Sequence, residues 1–224
     1  MQLLLASASP RRRRLLAWLG VPYSVTSPET PEDLTAPLDP ETLAAALAGD
    51  KALAARAEGE AGALVLGFDT IVVLDREVLG KPRDVADAWR MLRALSGRTH
   101  RVVTGCALLG PGDVLPRTFS VTTEVRMQEL TDERIEAWMA LGEFMGCAGA
   151  YNIEGQIAEV TADECYQNVA GLPLCHLFAE LRDVGGACGL HAAVRSPVAA
   201  CDSALGRSCR LGPRVTGDLP HFGR

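Results

Sequence analysis

The stretch LLLASASPRRRRLLAWLG, residues Leu3–Gly20, joins a short apolar run directly to an arginine-rich segment with helical spacing. Ser9 is the predicted N-cap, because a serine side chain accepts a hydrogen bond from the free N–H groups of the first turn. Pro10 suits the first helical position, where a missing N–H leaves no bond unmade. The apolar face that follows consists of Leu15, Leu16 and Leu19. A strand that leads straight into a helix predicts an α/β fold.

Four consecutive arginines, Arg11–Arg14, occupy the end of this helix where cations are least favoured, because the helix dipole has its positive end there. A bound polyphosphate would make each of these interactions favourable, since free N–H groups and guanidinium groups both attract phosphate oxygens. Successive helical residues point about 100° apart, so at most two arginines reach one ligand. We expect Arg11 and Arg12 to do so, and Arg13 and Arg14 to face solvent or carboxylates. The alternative is a solvated basic turn.

Strands and helices alternate through the rest of the chain. Strand character is predicted at Leu3–Ala6, Pro22–Thr26, Ala63–Asp75, Arg76–Pro82, Ser96–Leu109 and Arg117–Met127. Helices are predicted from Pro10, over Glu41–Arg56, over Asp84–Leu95 and over Thr131–Leu141, with the fold closing near Gly171–Val184. The Ala63–Asp75 segment is predicted as two buried strands broken at Gly67–Asp69.

The C-terminal end differs in composition from the rest. From about Gly186 the chain is rich in Gly, Ser, Pro and Arg and has no regular apolar pattern. We therefore predict one domain over residues 1–185 and a flexible C-terminal tail over residues 186–224.

Charge and hydropathy restrict the class of protein. The net charge of −6 argues against a general nucleic-acid-binding protein, and no apolar stretch has the length of a membrane span. The first apolar run precedes its charges, which is the reverse of a secretory signal. We expect a cytoplasmic protein with no nucleic-acid or membrane partner.

The seven cysteines are an odd number without a CxxC pair, which favours neither a disulfide framework nor a zinc knuckle. Free thiols are the preferred interpretation. The alternative is a metal site in the tail, where three of the cysteines accompany His191 and His221.

Only two of the 22 basic residues are lysines, Lys51 and Lys81. In a chain so biased towards arginine, a retained lysine indicates a function that requires a compact ammonium group rather than a planar guanidinium. Lys81 lies between a glycine and a proline, on a rigid turn. Lys51 lies in the middle of a predicted helix, where a solvated face is the simpler explanation.

Two carboxylates complete a candidate phosphoryl-transfer site. Asp69 is expected directly after an apolar strand, where strand ends line ligand crevices in open α/β sheets. Glu32, in the acidic loop SPETPEDLTAPLDP, can supply a second metal-facing oxygen. Carboxylates, lysines and a helix-borne arginine pair suit metal-assisted attack on a phosphoryl centre. The simpler alternatives are that Asp69 caps a turn and that Glu32 is solvated.

The motifs LASASPRRRRLLAWLG, KALA, GFDTIVVLDREVLGKPRDVADAWRMLRALSGRTHRVVTG, GAYNIEG and NVAGLPL resemble, in order and spacing, those of the Maf family of nucleoside triphosphate pyrophosphatases. The resemblance covers roughly residues 2–184. It implies a two-lobed α/β fold like that of inosine triphosphate pyrophosphatases, with a long twisted mixed sheet flanked by helices and a nucleotide cleft. It also implies Mg²⁺, or another divalent cation, and cleavage between the α and β phosphates.

The resemblance also implies roles for individual residues. Asp69 matches the catalytic aspartate, which activates water or binds metal together with Glu32. Phosphate and metal positions of the family fall on Arg11, Arg12, Glu32, Lys51 and Lys81. The motif serines fall on Ser7 and Ser9. Thr70 and the SPRR form are similar to the branch that acts on dTTP and UTP.

One motif departs from that branch. GCAGAYNIEG stands where members commonly read DKAGAYGIQG, so Gly146, Cys147, Asn152 and Glu154 replace other residues. The replaced glutamine is associated with base selection. An amide both donates and accepts, whereas ionised Glu154 only accepts, which would favour guanine or cytosine over uracil or thymine. The alternative is that Glu154 faces metal or solvent. Cys147 is expected to be a small buried thiol.

These observations predict an enzyme that hydrolyses a nucleoside triphosphate to a nucleoside monophosphate and pyrophosphate. Catalysis is assigned to Arg12, Lys51, Asp69 and Lys81, and further substrate contacts to Ser7, Ser9, Arg11, Thr70 and Glu154. One alternative is a broad or modified-nucleotide pyrophosphatase. Another is a nucleotide-binding regulator of septum formation. The resemblance also implies a possible homodimer.

Overall fold

A computed structural model describes residues 2–58, 62–185 and 193–218. Within these residues the chain forms a seven-stranded mixed sheet. Its strands are β1 (Leu3–Ala6), β2 (Tyr23–Thr26), β3 (Leu64–Leu74), β4 (Glu77–Leu79), β5 (Thr99–Leu109), β6 (Arg117–Met127) and β7 (Ala158–Glu159). The helices of the first half are α1 (Pro10–Ala17), α2 (Pro40–Glu58) and α3 (Val85–Leu95). Those of the second half are α4 (Asp132–Ala140), α5 (Tyr166–Val169), α6 (Leu174–Gly185), α7 (Val198–Leu205) and α8 (Gly212–Thr216).

The strand order is β2-β1-β3-β5-β6-β7, and β4 pairs with one end of β3. Strand β1 runs parallel to both β2 and β3, while β5, β6 and β7 add antiparallel pairs. The predicted α/β fold with a mixed sheet flanked by helices is therefore confirmed. Among the described residues, no helix is both long and apolar enough to cross a membrane.

Alternating side chains of the strands form cores on both faces of the sheet. Leu3 and Leu5 of β1 join the large core that contains the α1 leucines and the α3 residues Leu92 and Leu95. Leu4 faces the other way, into the core beneath helix α2. Helices α1 and α3 thus cover one face, and α2 covers the other.

Strand β3 is continuous over 11 residues, so the predicted break at Gly67–Asp69 is wrong. Gly67 does not form a turn; it allows α2 to pack closely against β3. A Cβ atom on Gly67 would collide with the Ala48 carbonyl oxygen of α2, and one on Gly105 of β5 would collide with that of Ala44. Both glycines let α2 lie directly on the sheet. Asp69 therefore lies inside a strand, and its predicted place after a strand end is also wrong.

The C-terminal segment contains α7 and α8, which the sequence pattern did not predict. Val194 and Cys201 are buried, and Arg195 N–H donates to the Leu19 carbonyl (2.8 Å) just beyond α1. The Arg207 guanidinium donates to the Val160 carbonyl (2.8 Å). Residues 193–218 thus pack on the domain, whereas the flexibility of the tail stays a prediction. The alternative metal site also involves Cys188, His191 and His221, which lie outside the described residues.

Candidate active site

A cleft of about 1210 Å³ opens where β1 passes into α1. Ala6 ends β1 opposite Gly67 of β3, so the loop before α1 lies beside Asp69 two residues further along β3. All ten predicted site residues line this cleft: Ser7, Ser9, Arg11, Arg12, Glu32, Lys51, Asp69, Thr70, Lys81 and Glu154. The structure brings them together, and their individual roles stay predictions.

The N-terminus of α1 forms one end of the cleft. The Ser9 hydroxyl accepts a hydrogen bond from the Arg12 N–H (3.4 Å), which confirms Ser9 as the N-cap. The Ser7 hydroxyl accepts from the Ser9 N–H (3.2 Å) and holds the approach to the helix. With Pro10 in the first turn and no acidic residue there, the positive end of the helix has no protein carboxylate of its own to balance it.

Arg12 is held by three protein oxygens. Its guanidinium donates to the Gly171 carbonyl (2.8 Å), the Thr70 hydroxyl (3.0 Å) and the Ser7 hydroxyl (3.3 Å). Desolvation by the surrounding protein lowers the pKa of Arg12, while the nearby Asp69 opposes that change. The three hydrogen bonds fix the guanidinium in the wall of the cleft.

Lys51 joins the two carboxylates. Its ammonium group donates to Glu32 Oε1 (2.8 Å) and to Asp69 Oδ1. Lys81 donates to the same Glu32 oxygen (2.8 Å) from the other side. Four charged residues from a loop, a helix, a strand and a turn therefore form one connected cluster.

The packing of α2 explains why Lys51 reaches this cluster. Because Gly67 and Gly105 bring α2 onto the sheet, the middle of α2 lies directly over β3. The Lys51 side chain is 14% exposed and points into the cleft, so a solvated helix face does not explain it. Lys81, at 52% exposure, stands at the opening of the cleft.

Glu32 remains ionised in this environment. Burial alone would raise the pKa of Glu32, but the hydrogen bonds from Lys51 and Lys81 outweigh it and hold the pKa at about 2. Glu32 and Asp69 are thus both bound by ammonium groups, which compete with any bound metal for the same oxygens.

The donor set fits a hard divalent cation bound jointly with substrate. Mg²⁺ uses one or two carboxylates together with phosphate oxygens and water rather than a closed protein cage. Glu32 and Asp69 both contact the ammonium group of Lys51, and both line the cleft. The described residues contain no cluster of three or more metal-ligating side chains.

A second wall of the cleft, residues 143–154, runs along the Arg11 and Arg14 face of α1. Arg11 donates to the Cys147 sulfur (3.0 Å), and Arg14 forms an ion pair with Glu154. The Asn152 amide donates to Glu143 (2.9 Å) and accepts from the Gly155 N–H (2.9 Å). Arg14 thus faces a carboxylate, as predicted, while Arg13 is exposed.

Cys147 is buried, as predicted, and burial raises the pKa of its thiol although Arg11 opposes this. The described cysteines are all free thiols. No disulfide therefore takes part in holding the described part of the cleft.

The loop that anchors Arg12 was not predicted from the sequence. The Asn168 amide of α5 donates to the carbonyls of Val102 (3.1 Å) and Val121 (3.0 Å), which holds α5, just before this loop, against β5 and β6. Gly171 follows with φ of 93°, and its carbonyl accepts from Arg12. The NVAGLPL motif was the available signal, but nothing local in it indicated a carbonyl acceptor.

The chain is similar in sequence to proteins of one family. The family model for Maf-like protein matches residues 2–184. The dTTP/UTP pyrophosphatase of Geobacter metallireducens is 44% identical over 186 residues, 82% of this chain and 96% of that protein. That of Vibrio cholerae is 46% identical over 175 residues, 77% of this chain and 92% of that protein.

Among solved structures, the Ham1 protein of Staphylococcus aureus aligns with a TM-score of 0.40 and 16% identity, over 57% of this chain and 72% of that one. The ordered motifs, the family match over 2–184 and the identity to these relatives together show that the chain belongs to the Maf family.

Proposed function

We propose that this protein is a nucleoside triphosphate pyrophosphatase that releases a nucleoside monophosphate and pyrophosphate. The observation that carries the proposal is the position of Lys51, which joins Glu32 and Asp69 in a cleft that also contains Arg12 and Lys81. Relatives of similar length named dTTP/UTP pyrophosphatase support the same activity.

The cations of the cleft bind the triphosphate. Arg12 and the positive end of the α1 dipole attract phosphate oxygens at the helix end, where a negative charge is favoured. Lys51 and Lys81 neutralise the charge that develops on the departing pyrophosphate. Catalysis of phosphoryl transfer is mostly such positioning and neutralisation.

Asp69 directs the attacking water. Its carboxylate accepts a proton from the water as the water oxygen bonds to the α-phosphorus, and the bond from that phosphorus to the bridging oxygen breaks. Lys51 holds Asp69 in place through its hydrogen bond. A bound Mg²⁺, held by Glu32 and Asp69, would supply charge neutralisation and water polarisation.

The base preferred by the enzyme is a separate question. The relatives are named for dTTP and UTP, and Thr70 and the SPRR motif support the same branch for this chain. Glu154 favours a second candidate, a pyrophosphatase of broader or modified-nucleotide specificity. A link to septum formation, a homodimeric state and a cytoplasmic location stay predictions.

Hydrolysis in ¹⁸O-labelled water tests the reaction. We expect one ¹⁸O atom in the nucleoside monophosphate and none in the pyrophosphate, because water attacks the α-phosphorus. Label in inorganic phosphate would mean attack at the γ-phosphorus and would contradict the proposal. Nucleotide binding without any cleavage would favour a regulatory protein instead.

A further inference from the structure

Thr104 of β5 is a completely buried polar residue that lies behind the lining of the cleft. It is paired directly with Thr70 of β3, and the two hydroxyl oxygens are 2.9 Å apart. Directly opposite side chains of an antiparallel pair lie on the same face of the sheet, within contact distance. Thr70 itself lines the cleft and accepts a hydrogen bond from Arg12 (3.0 Å). Thr104 therefore supports a side chain that holds Arg12.

The direction of the hydrogen bonds along this row is fixed. A threonine hydroxyl has a single hydrogen to donate. Thr104 donates its hydrogen to the backbone carbonyl of Asn168 (3.1 Å), which can only accept. The Thr70 hydroxyl therefore donates to Thr104, and its oxygen accepts from the Arg12 guanidinium. Thr104 thus keeps the hydroxyl hydrogen of Thr70 away from Arg12.

The row of hydrogen bonds closes on the loop that holds Arg12 from its other side. The Asn168 carbonyl accepts from the Gly171 N–H (2.9 Å) as well as from Thr104. The Gly171 carbonyl in turn accepts from Nε of Arg12 (2.8 Å). Five residues therefore form a closed ring of hydrogen bonds: Arg12, Thr70, Thr104, Asn168 and Gly171. Two acceptors of the guanidinium, Thr70 and Gly171, are thereby fixed relative to each other.

Close packing restricts the same ring. A Cβ atom on Gly171 would lie 3.3 Å from Nε of Arg12 and 3.4 Å from the Thr70 hydroxyl oxygen. The backbone of the loop is thus in direct contact with both side chains. On the sheet, the Arg12 guanidinium lies over the Phe68 ring, 5.9 Å from its centroid. The Arg12 side chain is therefore enclosed by the groups that orient it.

The oriented guanidinium keeps donors for a ligand. Its Nε donates to Gly171, and its two terminal nitrogens donate to Thr70 and Ser7. A guanidinium has five N–H groups, so one N–H remains on each terminal nitrogen. Two N–H groups in this arrangement suit two phosphate oxygens. Donors that are oriented before the reaction stabilise developing charge without a cost of reorganisation.

We propose that Thr104 is a positioning residue, which holds the Arg12 guanidinium through Thr70 in the orientation that binds phosphate oxygens. Thr104 bonds to Thr70 and Asn168, and its effect reaches Arg12 through these partners. The consequence for catalysis rests on the proposed function, whereas the effect of Thr104 on the orientation of Arg12 does not.

The test compares Thr104→Val with Thr104→Ser. Valine has the shape of threonine but no hydroxyl, so Thr70 loses its acceptor while the Asn168 carbonyl keeps the Gly171 N–H. For the nucleoside triphosphate that the wild type cleaves fastest, Thr104→Val should lower kcat/KM by about 10-fold, because a hydrogen bond to a charged group is weakened. Thr104→Ser keeps the hydroxyl and should keep the wild-type kcat/KM. Thr104→Ala should give the same loss as valine without the added methyl group, and it replaces Thr104→Val if that variant does not fold.

Thr123→Val is the matched control. Thr123 of β6 is also completely buried, and its hydroxyl donates to the Cys165 carbonyl (3.2 Å). It accepts from the Asn168 amide, but the two hydrogens of that amide also have two strand carbonyls as acceptors. We therefore expect an unchanged kcat/KM at a temperature where thermal midpoints show each variant to be folded. Equal losses in Thr104→Val and Thr123→Val would overturn the proposal.

A double variant tests whether Thr104 acts through Thr70. In a Thr70→Val background the Thr104 hydroxyl has no link to the terminal nitrogen of Arg12. Thr104→Val should then cause little further loss, so the effects of the two single variants should not add. Full additivity would contradict the proposal, because Thr104 would then act by another route.

NMR of the Arg12 guanidinium in the ligand-free protein separates this inference from the proposed function. A guanidinium bonded at each nitrogen should give resolved, slowly exchanging N–H signals, which Thr104→Val should broaden and Thr104→Ser should keep. If this result is obtained while no nucleotide is cleaved, the inference stands and the proposed reaction fails. If hydrolysis proceeds and neither the Arg12 signals nor kcat/KM depend on Thr104, the inference fails alone.

Discussion

Lys51 of α2 donates a hydrogen bond to the carboxylate of Asp69, which lies in the middle of β3. Asp69 is 4% exposed, so its charge is compensated mainly by protein groups. Lys51 also contacts Glu32, and one ammonium group therefore fixes both proposed metal-binding carboxylates. Loss of this lysine should affect charge, geometry and catalysis together.

The first prediction concerns the two lysines. Lys51→Met should raise the pKa of Glu32 well above about 2, because the hydrogen bond from Lys51, which lowers this pKa most, is lost. It should also reduce kcat by about 100-fold or more, since preorganised charge in the cleft is removed. NMR titration of Glu32 and pyrophosphate assays measure the two effects.

Lys81→Met is the natural comparison. It removes the other donor to Glu32 but leaves the Lys51–Asp69 contact intact. We expect a smaller rise in the Glu32 pKa. An unchanged Glu32 pKa in both variants would show that the lysines do not control this carboxylate.

The second prediction concerns the packing of α2. Gly105→Ala should lower the free energy of unfolding by about 3 kcal/mol, because the new Cβ collides with the Ala44 carbonyl of α2. Gly146→Ala is the control, since open space surrounds that position. Urea denaturation measures both. Equal stability of the two variants would refute the claim that Gly105 is required for helix–sheet contact.

The third prediction concerns buried His100, whose ring nitrogen contacts the Tyr151 hydroxyl (2.6 Å). Burial lowers the pKa of His100 from 6.5 to about 4. As pH falls from 6.5, the unfolded chain therefore binds a proton before the native chain does. Stability should fall between pH 6.5 and 4 and level off below, with a loss of about 2 kcal/mol by pH 5 from this group.

Urea denaturation at pH 7 and pH 5 checks whether the free energy of unfolding falls as the pH is lowered. His100→Gln should lose less stability between the two pH values than the wild type, because its side chain does not titrate. The baseline stability of the variant is irrelevant to the comparison, since only the difference between pH values counts. The same pH-dependent loss in both proteins would contradict the prediction.

The fourth prediction concerns the C-terminal segment. Deletion of residues 186–224 should lower the thermal midpoint by several degrees, on the order of 5 °C, because the buried contacts of Val194 and Cys201 and the Arg195–Leu19 bond are lost. No residue of 193–218 lines the cleft, so kcat should be retained. A large loss of kcat at a temperature where the shortened protein is folded would mean that this segment contributes to the site.

Much of the fold was predictable because local signals agreed with tertiary structure. Ser9, Asp84 and Thr131 accept the capping hydrogen bonds expected of N-caps, and their helices begin one residue later. The long, periodic segments were located to within a few residues. Glycine in β3 was misleading, since its local preference for turns says nothing about a helix packed above the strand.

The residues of the site were predictable from the sequence, but the hydrogen bonds and ion pairs between them were not. The motifs identified ten of the residues that line the cleft, yet the shared hydrogen bonds of Lys51 depend on how α2 is set against the sheet. The pairing of Arg14 with Glu154 spans 140 positions of the chain and left no local pattern. Likewise, α7 and α8 owe their place to contacts with the domain, because their own apolar spacing is weak.

In the proposed reaction, Asp69 and the cations around it cleave nucleoside triphosphates between the α and β phosphates. The most direct measurement is pyrophosphate release from a panel of nucleoside triphosphates, with and without Mg²⁺, by the wild type and by Asp69→Asn. We predict Mg²⁺-dependent release by the wild type and a collapse of at least about 100-fold in the variant. Undiminished release by Asp69→Asn, or no pyrophosphate from any nucleotide, would rule out this reaction.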